Sequence, residues 1–109
     1  MQLVARDLLA AVAHIHSFDV AHRDIKGENV LCTGHFAAGT LRCRLADFGA
    51  ATHYQKAQLF SERIGSTCYI APEVVKQKYF PKTADIWSVG ATIYTLLAGT
   101  VRVVSSTCQ

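Results

Sequence analysis

The stretch HRDIKGEN, residues 22–29, carries more chemistry than any other part of this 109-residue chain. Within it, Asp24 and Lys26 offer a carboxylate and an ammonium group two positions apart. Two further short motifs follow, DFG at 47–49 and APE at 71–73. Any one of these tripeptides arises often by chance, whereas all three in this order form a specific signal.

In that order the three motifs resemble the catalytic loop, the metal-binding loop and the end of the activation segment of a eukaryotic protein kinase. The run DIWSVG at 85–90 extends the resemblance, which covers residues 3–99. It implies a mostly α-helical fold with a short β-hairpin, as part of a protein-kinase-like fold. We therefore expect a partial kinase domain at 1–99 and a divergent tail at 100–109.

The resemblance covers the middle of the C-lobe only. No Gly-rich strand turn and no VAIK-type lysine precede the HRD motif, and a kinase catalytic domain is normally more than twice as long as this chain. The chain is therefore expected to be a C-lobe fragment that lacks the N-lobe.

Hydrophobic periodicity predicts the main elements. Apolar residues at three- and four-residue steps predict an amphipathic helix over 3–17. Two short strands are expected at 30–32 and 41–46, joined by a turn that contains Gly34 and Gly39. They would form the β-hairpin.

A last helix is predicted over 84–98, with Thr83 as its cap, Asp85 in its first turn and Gly99 as its stop. In kinases this helix is the buried axis of the C-lobe, so Trp87 is expected in the core.

The resemblance assigns roles to the polar residues of the catalytic loop. Asp24 would orient the substrate hydroxyl and accept its proton, and Lys26 would contact the γ-phosphate of ATP. A lysine at this position resembles serine/threonine kinases rather than tyrosine kinases. Glu28 and Asn29 would lie in the nucleotide site, and Asn29 would share the metal ions with Asp47. Such oxygen ligands suit Mg²⁺ or Mn²⁺ rather than zinc.

Arg23 makes the catalytic loop of the type that reads an acidic group, usually a phosphate, on the activation segment. The usual phosphorylated position falls at Glu62 in this chain, so a fixed carboxylate would partly mimic the phosphate. With the surrounding ERIGS and YIAPEVV, this feature is most similar to calcium/calmodulin-regulated and calcium-dependent kinases. That similarity implies calcium or calmodulin regulation through regions outside this chain. The plainer interpretation, in which Glu62 is a solvated loop residue, stays open.

The rest of the activation segment follows the same pattern. Ser66 would hold the place of a threonine that hydrogen-bonds the catalytic aspartate and lysine. His22 is expected to be a packing residue rather than an acid or a base. The remaining segment residues that the resemblance assigns are Phe48, Gly49, Ala71, Pro72 and Glu73.

Composition adds mainly exclusions. A net charge of +3 is too small to indicate a nucleic acid or an anionic membrane as partner. Arg6 and Asp7 interrupt the apolar N-terminal stretch, which argues against a signal peptide, and 86–101 is too short to span a bilayer. We expect a cytoplasmic protein, with the nucleus as the other compartment considered.

The cysteines form no C-x-x-C pair, so a zinc site is not expected; they are Cys32, Cys43, Cys68 and Cys108.

Two functions follow from these observations. The first is a serine/threonine protein kinase that uses ATP and Mg²⁺ and phosphorylates Ser or Thr in proteins. The second is a non-catalytic fragment that binds kinase partners or competes for them. The motifs favour the first for the family, and the missing VAIK-type lysine favours the second for the isolated chain.

Overall fold

The computed structural model describes residues 2–35 and 37–98. Helix α1, Gln2–His16, forms because its apolar residues recur every four positions along one face. Val4, Leu8 and Val12 on this face are buried. The predicted helix at 3–17 is confirmed to within one residue at either end.

The predicted hairpin is present. Strands β2, Val30–Thr33, and β3, Arg42–Leu45, pair antiparallel, with Val30 opposite Leu45 and Thr33 opposite Arg42. A 3₁₀ turn, Gly27–Asn29, leads from the HRD stretch directly into β2. The hairpin therefore follows the HRDIKGEN stretch with no intervening loop.

A second strand pair was not predicted. Strand β1, Val20–Ala21, pairs antiparallel with β4, Thr52–His53. Two-residue strands leave no periodic pattern in a sequence, so only the folded chain reveals them. The pair ties the entry of the HRD stretch to the segment that follows DFG.

Helix α2, Pro72–Val75, begins with proline at its first position, where a missing N–H costs no hydrogen bond. Its C-terminus is closed by a Schellman motif. The Lys78 N–H donates to the Glu73 carbonyl at 3.1 Å and the Gln77 N–H to the Val74 carbonyl at 2.9 Å. Gln77 has the left-handed φ of 58° that this motif requires.

Helix α3, Pro81–Ala98, begins three residues earlier than predicted. The prediction that Thr83 caps it was wrong, because Pro81 has the fixed φ and missing N–H that suit a first helical position. The Thr83 hydroxyl instead donates back to the Phe80 carbonyl at 2.9 Å. Asp85 consequently lies in the second turn and not in the first. The predicted stop at Gly99 lies outside the described residues.

Two clusters of buried side chains form the core. One lies between α1, the HRD stretch and α3, and consists of Leu8, Val12, Ile25 and Val89. The other surrounds α2 and consists of Ile70, Ala71, Val74, Tyr79 and Ala84. The fold class is as predicted: helices with a short hairpin, matching part of a protein kinase fold.

Helix α3 is buried on one face only. Its other face exposes large apolar side chains, which are Ile86, Trp87, Tyr94 and Leu97. The prediction of a buried helix therefore holds for one face of α3. The core position expected for Trp87 was wrong for the described residues, in which nothing covers the other face. None of the helices in the described ranges has the length and apolar character needed to cross a membrane.

Candidate active site

A chain of polar contacts joins the HRD stretch to the segment before APE. The Ser66 hydroxyl donates to Asp24 Oδ1 at 2.9 Å and accepts from the Lys26 ammonium at 2.8 Å. Lys26 Nζ also lies 3.8 Å from Asp24 Oδ2. The hydroxyl uses both its donor and its acceptor capacity. Three side chains predicted to work together are thus brought into direct contact.

Asn29 approaches the same aspartate from the other side. Its Nδ2 donates to the Asp24 carbonyl at 2.7 Å and lies 3.4 Å from Asp24 Oδ2. The buried amide is therefore oriented with its nitrogen toward Asp24, which leaves its Oδ1 as an oxygen ligand. The Asn29 carbonyl accepts from the Ala46 N–H at 2.8 Å, so the residue before Asp47 is held beside it.

Asp47 turns the chain at the end of the hairpin. Its φ is 57°, a left-handed conformation that Asp adopts more readily than most residues. Its Oδ1 accepts from the Gly49 N–H at 3.2 Å, and the residue itself is exposed. Phe48 packs edge-on against His22, with ring centroids 4.8 Å apart. The carboxylate is thus presented to solvent just after the end of β3.

The donor set fits a hard divalent cation. Asn29 and Asp47 supply an amide and a carboxylate oxygen, which are ligands that Mg²⁺ accepts. In residues 2–35 and 37–98 no group of three His, Cys, Asp or Glu side chains gathers as a metal site. Mg²⁺ commonly completes its shell with water and substrate phosphates, so two protein ligands are compatible with it.

His22 is completely buried and its tautomer follows from its partners. Its Nδ1 accepts from the Asp24 N–H at 3.1 Å, so the hydrogen lies on Nε2, which donates to the Ala46 carbonyl at 2.8 Å. The ring therefore links the backbone of Asp24 to the residue before Asp47. This agrees with the predicted packing role.

Asp85 supports the HRD stretch from below. Its Oδ2 accepts from the His22 N–H at 2.8 Å and its Oδ1 from the Arg23 N–H at 2.9 Å. His16 Nε2 donates to the same Oδ2 at 2.9 Å. Sequence reasoning missed His16, although its position four residues after Val12, on the apolar face of α1, was a usable signal.

Arg23 connects the HRD stretch to the activation segment. Its Nε donates to the Ala50 carbonyl at 2.7 Å, and its Nη1 lies 3.3 Å from Glu62 Oε1. The guanidinium also lies 5.7 Å from the ring centroid of Phe60. The arginine side chain is 10% exposed and the glutamate 64%. The predicted neighbours meet, but at the surface, where ion pairs contribute little.

Tyr79 holds the backbone around Glu62. Its hydroxyl donates to the Glu62 carbonyl at 2.6 Å, and it exchanges two backbone hydrogen bonds with Phe60, at 2.7 and 3.0 Å. Burial raises the pKa of Tyr79, and the nearby Arg23 opposes part of that rise. The phenol therefore stays a neutral donor at physiological pH.

Gly65 allows the activation segment to approach the HRD stretch. Its φ is 117°, and a Cβ atom there would lie 2.8 Å from the Arg23 carbonyl oxygen and 2.6 Å from Ile70 Cγ2. Only glycine adopts this conformation without strain. Sequence reasoning did not single out Gly65, although its position directly before Ser66 could have suggested it.

The other predicted site residues lie further from this cluster. Glu28 is exposed within the 3₁₀ turn. Ala71 is fully buried before α2, and Pro72 and Glu73 are the first residues of α2. Among the described residues, no side-chain hydrogen bond joins Glu28 or Glu73 to Asp24. Ala71, Pro72 and Glu73 therefore belong to the start of α2 and not to the polar cluster around Asp24.

Comparison with known proteins agrees with this geometry. A family model described as "Protein kinase domain" matches residues 1–107. The serine/threonine-protein kinase PEPKR2 of Arabidopsis thaliana is 44% identical over 88% of this chain and 19% of its own length. A probable myosin light chain kinase of Dictyostelium discoideum is 38% identical, over 88% of the chain and 30% of its own length. Calcium-dependent protein kinase 17 of Arabidopsis thaliana is 43% identical, over 86% of the chain and 17% of its own length. The chain thus spans less than a third of each of these relatives.

Proposed function

Because the chain belongs to the protein kinase domain family, we propose that it is part of a serine/threonine protein kinase. That enzyme would transfer the γ-phosphoryl group of ATP to a Ser or Thr hydroxyl of a protein. The observation that carries the proposal is the set of contacts around Asp24, in which Ser66, Lys26 and Asn29 all meet one carboxylate.

Asp24 is proposed to act on the substrate hydroxyl. Its Oδ1 already accepts from Ser66 at 2.9 Å, whereas Oδ2 has only longer contacts, with Asn29 Nδ2 at 3.4 Å and Lys26 Nζ at 3.8 Å. Oδ2 is therefore the oxygen with capacity for a further hydrogen bond. In this position it would orient the hydroxyl for attack and accept its proton.

Lys26 and the two oxygen ligands are proposed to bind the nucleotide. Lys26, held by Ser66, would lie against the γ-phosphate and stabilise the charge on the transferred group. Asn29 and Asp47 would hold Mg²⁺ or Mn²⁺, which neutralises the phosphates when bound. Glu28, in the same turn, would border this nucleotide site.

Glu62 is proposed to replace a regulatory phosphate. Its contact with Arg23 is supported by the Tyr79 hydrogen bond to the Glu62 backbone, which places the carboxylate without modification. Relatives of this chain that are named calcium-dependent protein kinases are 40–43% identical to it. We propose that the protein is regulated by calcium or calmodulin through regions outside this chain.

The decisive experiment measures phosphoryl transfer in the longest natural translation product that contains these 109 residues, called the full-length protein below. Asp24→Asn should lower kcat by at least ~10²-fold with little change in nucleotide Kd, because the residue acts on the hydroxyl. Asp47→Asn should also abolish transfer, but through weakened Mg²⁺·ATP binding. Asp19→Asn is the matched control, since Asp19 is an exposed aspartate outside the cluster. An Asp24→Asn enzyme with more than about a tenth of the normal kcat would contradict the role.

One observation favours the second candidate, a non-catalytic module. The exposed face of α3 borders a groove of about 350 Å³, lined by Ile86, Trp87, Gly90, Ala91 and Tyr94. Uncovered apolar surface of this kind favours association. The chain of 109 residues alone would then fail to transfer phosphate and would self-associate or bind a partner. A cooperatively unfolding monomer that binds Mg²⁺·ATP at micromolar Kd would exclude this second function.

A further inference from the structure

Two cysteine side chains meet across the hairpin. Cys32 of β2 and Cys43 of β3 are directly opposite each other in the strand register. Their Sγ atoms lie 2.8 Å apart, and both are free thiols. Nothing in the proposed phosphoryl transfer uses either of them, so the pair calls for a separate explanation.

The hairpin geometry suits a bond between them. Because the Ala46 N–H donates to the Asn29 carbonyl, residues 29 and 46 form a hydrogen-bonded pair. Such pairs alternate with non-hydrogen-bonded ones along an antiparallel ladder, which makes Cys32 and Cys43 a non-hydrogen-bonded pair. In agreement, the Cys43 N–H points away from β2 and donates to Asp7 Oδ2 at 2.8 Å.

Non-hydrogen-bonded pairs bring opposite Cα atoms to about 4.5 Å. Disulfides span Cα separations of about 4.4 to 6.8 Å, so the bond can form without moving either strand. The strand pair thereby satisfies the main geometric requirement before any oxidation takes place.

The two thiols differ in their surroundings. Cys32 is exposed, whereas Cys43 is 8% exposed. Burial, with a further contribution from the hydrogen bond to Cys32, raises the pKa of Cys43 to about 11. Cys32 is therefore the thiol that an oxidant in solution meets first, and Cys43 is the one positioned to react second.

We propose that Cys32 and Cys43 are a reversible redox modification site, which a low-molecular-weight disulfide of the glutathione type converts to an intramolecular disulfide. The Cys32 thiolate attacks one sulfur of the reagent, whose S–S bond breaks and releases one thiolate. The Cys43 sulfur then loses its proton to that thiolate and attacks the Cys32 sulfur, which breaks the mixed disulfide and releases the second thiolate; this thiolate takes up the proton that Cys32 had lost. The two cysteines are oxidised by two electrons, and one reagent disulfide is reduced to two thiols.

The position of the site gives the bond a structural effect. Asn29 directly precedes β2, and Asp47 lies two residues after the end of β3. A disulfide between the strands would hold the register from which both residues project, and it would do so whether or not the chain is part of an active kinase. This inference is thus independent of the proposed function.

Peptide mapping tests the proposal on the chain of 109 residues. Trypsin cleaves after Lys26, Arg42 and Arg44, so the two cysteines fall in separate peptides, 27–42 and 43–44. After treatment with oxidised glutathione under native conditions, the two peptides should be joined and should carry no glutathione. Dithiothreitol should separate them again. In concentrated guanidinium chloride the joined product should form at least about tenfold more slowly, because the register that holds the thiols together is lost.

Single variants separate the two steps. In Cys43→Ser the glutathione should remain on Cys32, because the second attack cannot occur, and Cys43→Ala provides the same readout if serine disturbs the strand. In Cys32→Ser, Cys43 should stay unmodified under native conditions. Glutathione retained on Cys32 of the unaltered chain, or equal rates with and without guanidinium, would overturn the proposal.

Discussion

His16 Nε2 lies 2.9 Å from Asp85 Oδ2, which joins the last turn of α1 to α3 beneath the HRD stretch. Both side chains are nearly inaccessible, at 5% and 1% exposure. The same carboxylate accepts the backbone N–H groups of His22 and Arg23. Asp85 therefore satisfies three buried donors at once, and the HRD stretch depends on it for its position.

Asp85→Asn should destabilise the full-length protein by about 2–4 kcal/mol, because an amide has one acceptor oxygen where three donors converge. Thermal or denaturant unfolding measures the loss. Asp19→Asn is the control, since Asp19 is exposed and Asn tolerates its positive φ of 56°. Equal stability of the two variants would refute the supporting role of Asp85.

Gly65→Ala should cost about 1–3 kcal/mol of stability, since the new methyl group would press on the Arg23 carbonyl in a backbone conformation unfavourable for alanine. The displaced Ser66 would also lose contact with Asp24, so kcat should fall. Gly90→Ala is the matched control, because a Cβ atom at that helical position meets nothing within 4 Å. It should stabilise by about 0.5–1 kcal/mol. A harmless Gly65→Ala would contradict the close approach.

The Arg23–Glu62 contact predicts a full-length enzyme that is active without phosphorylation of the activation segment. Glu62→Ala should lower activity, and it should have little effect when Arg23 is already Ala. Because Glu62 is 64% exposed, we expect a coupling energy of no more than about 1 kcal/mol. Ser61→Ala, at the exposed neighbouring position, controls for general disturbance. Strictly additive losses would reject the pairing.

Asp7 predicts a dependence of stability on acid pH. The Cys43 N–H, followed by the Arg6 and Arg42 side chains, holds the pKa of this carboxyl below its usual 3.8. A lowered folded-state pKa means that the contribution to stability is complete above the unfolded-state pKa, about 3.8, and is lost as the pH falls through the lower folded-state pKa. Asp7→Asn should therefore lower Tm at neutral pH, and this loss of Tm should be smaller below about pH 4. If its Tm deficit were the same at both pH values, ionised Asp7 would not be the cause.

Gln77→Gly should stabilise the protein by about 1 kcal/mol, because Gln77 occupies the left-handed position of the Schellman motif that glycine adopts without strain. Lys76→Gly is the matched control, since the adjacent Lys76 has a right-handed helical conformation, with φ −78°. That variant should destabilise by about 0.5–1 kcal/mol through backbone entropy. Chemical unfolding of the two variants measures the difference. Two changes of the same sign would contradict the cap.

Local sequence patterns were enough to predict the short-range parts of this protein. The three- and four-residue spacing of the apolar residues around Leu8 and Val12 predicted α1, because an apolar face at helical spacing depends only on neighbours in the chain. Two short segments on either side of a glycine-containing turn predicted β2 and β3. The order of the HRD, DFG and APE motifs along the chain indicated the protein kinase family. Local signals were insufficient at the start of α3, where proline at position 81 outweighed the capping tendency of Thr83.

Contacts between residues far apart in the chain follow from the packing of the whole fold. Asp85 receives its three donors from positions 62 to 69 residues away. Ser66 reaches Asp24 across 42 residues, a contact that the family resemblance implied but that no local pattern predicts. The facing thiols of Cys32 and Cys43 depend on a strand register that a one-residue slip would destroy. Such contacts depend on the packing of α1, the hairpin and α3 together, and no segment of the sequence carries that information alone.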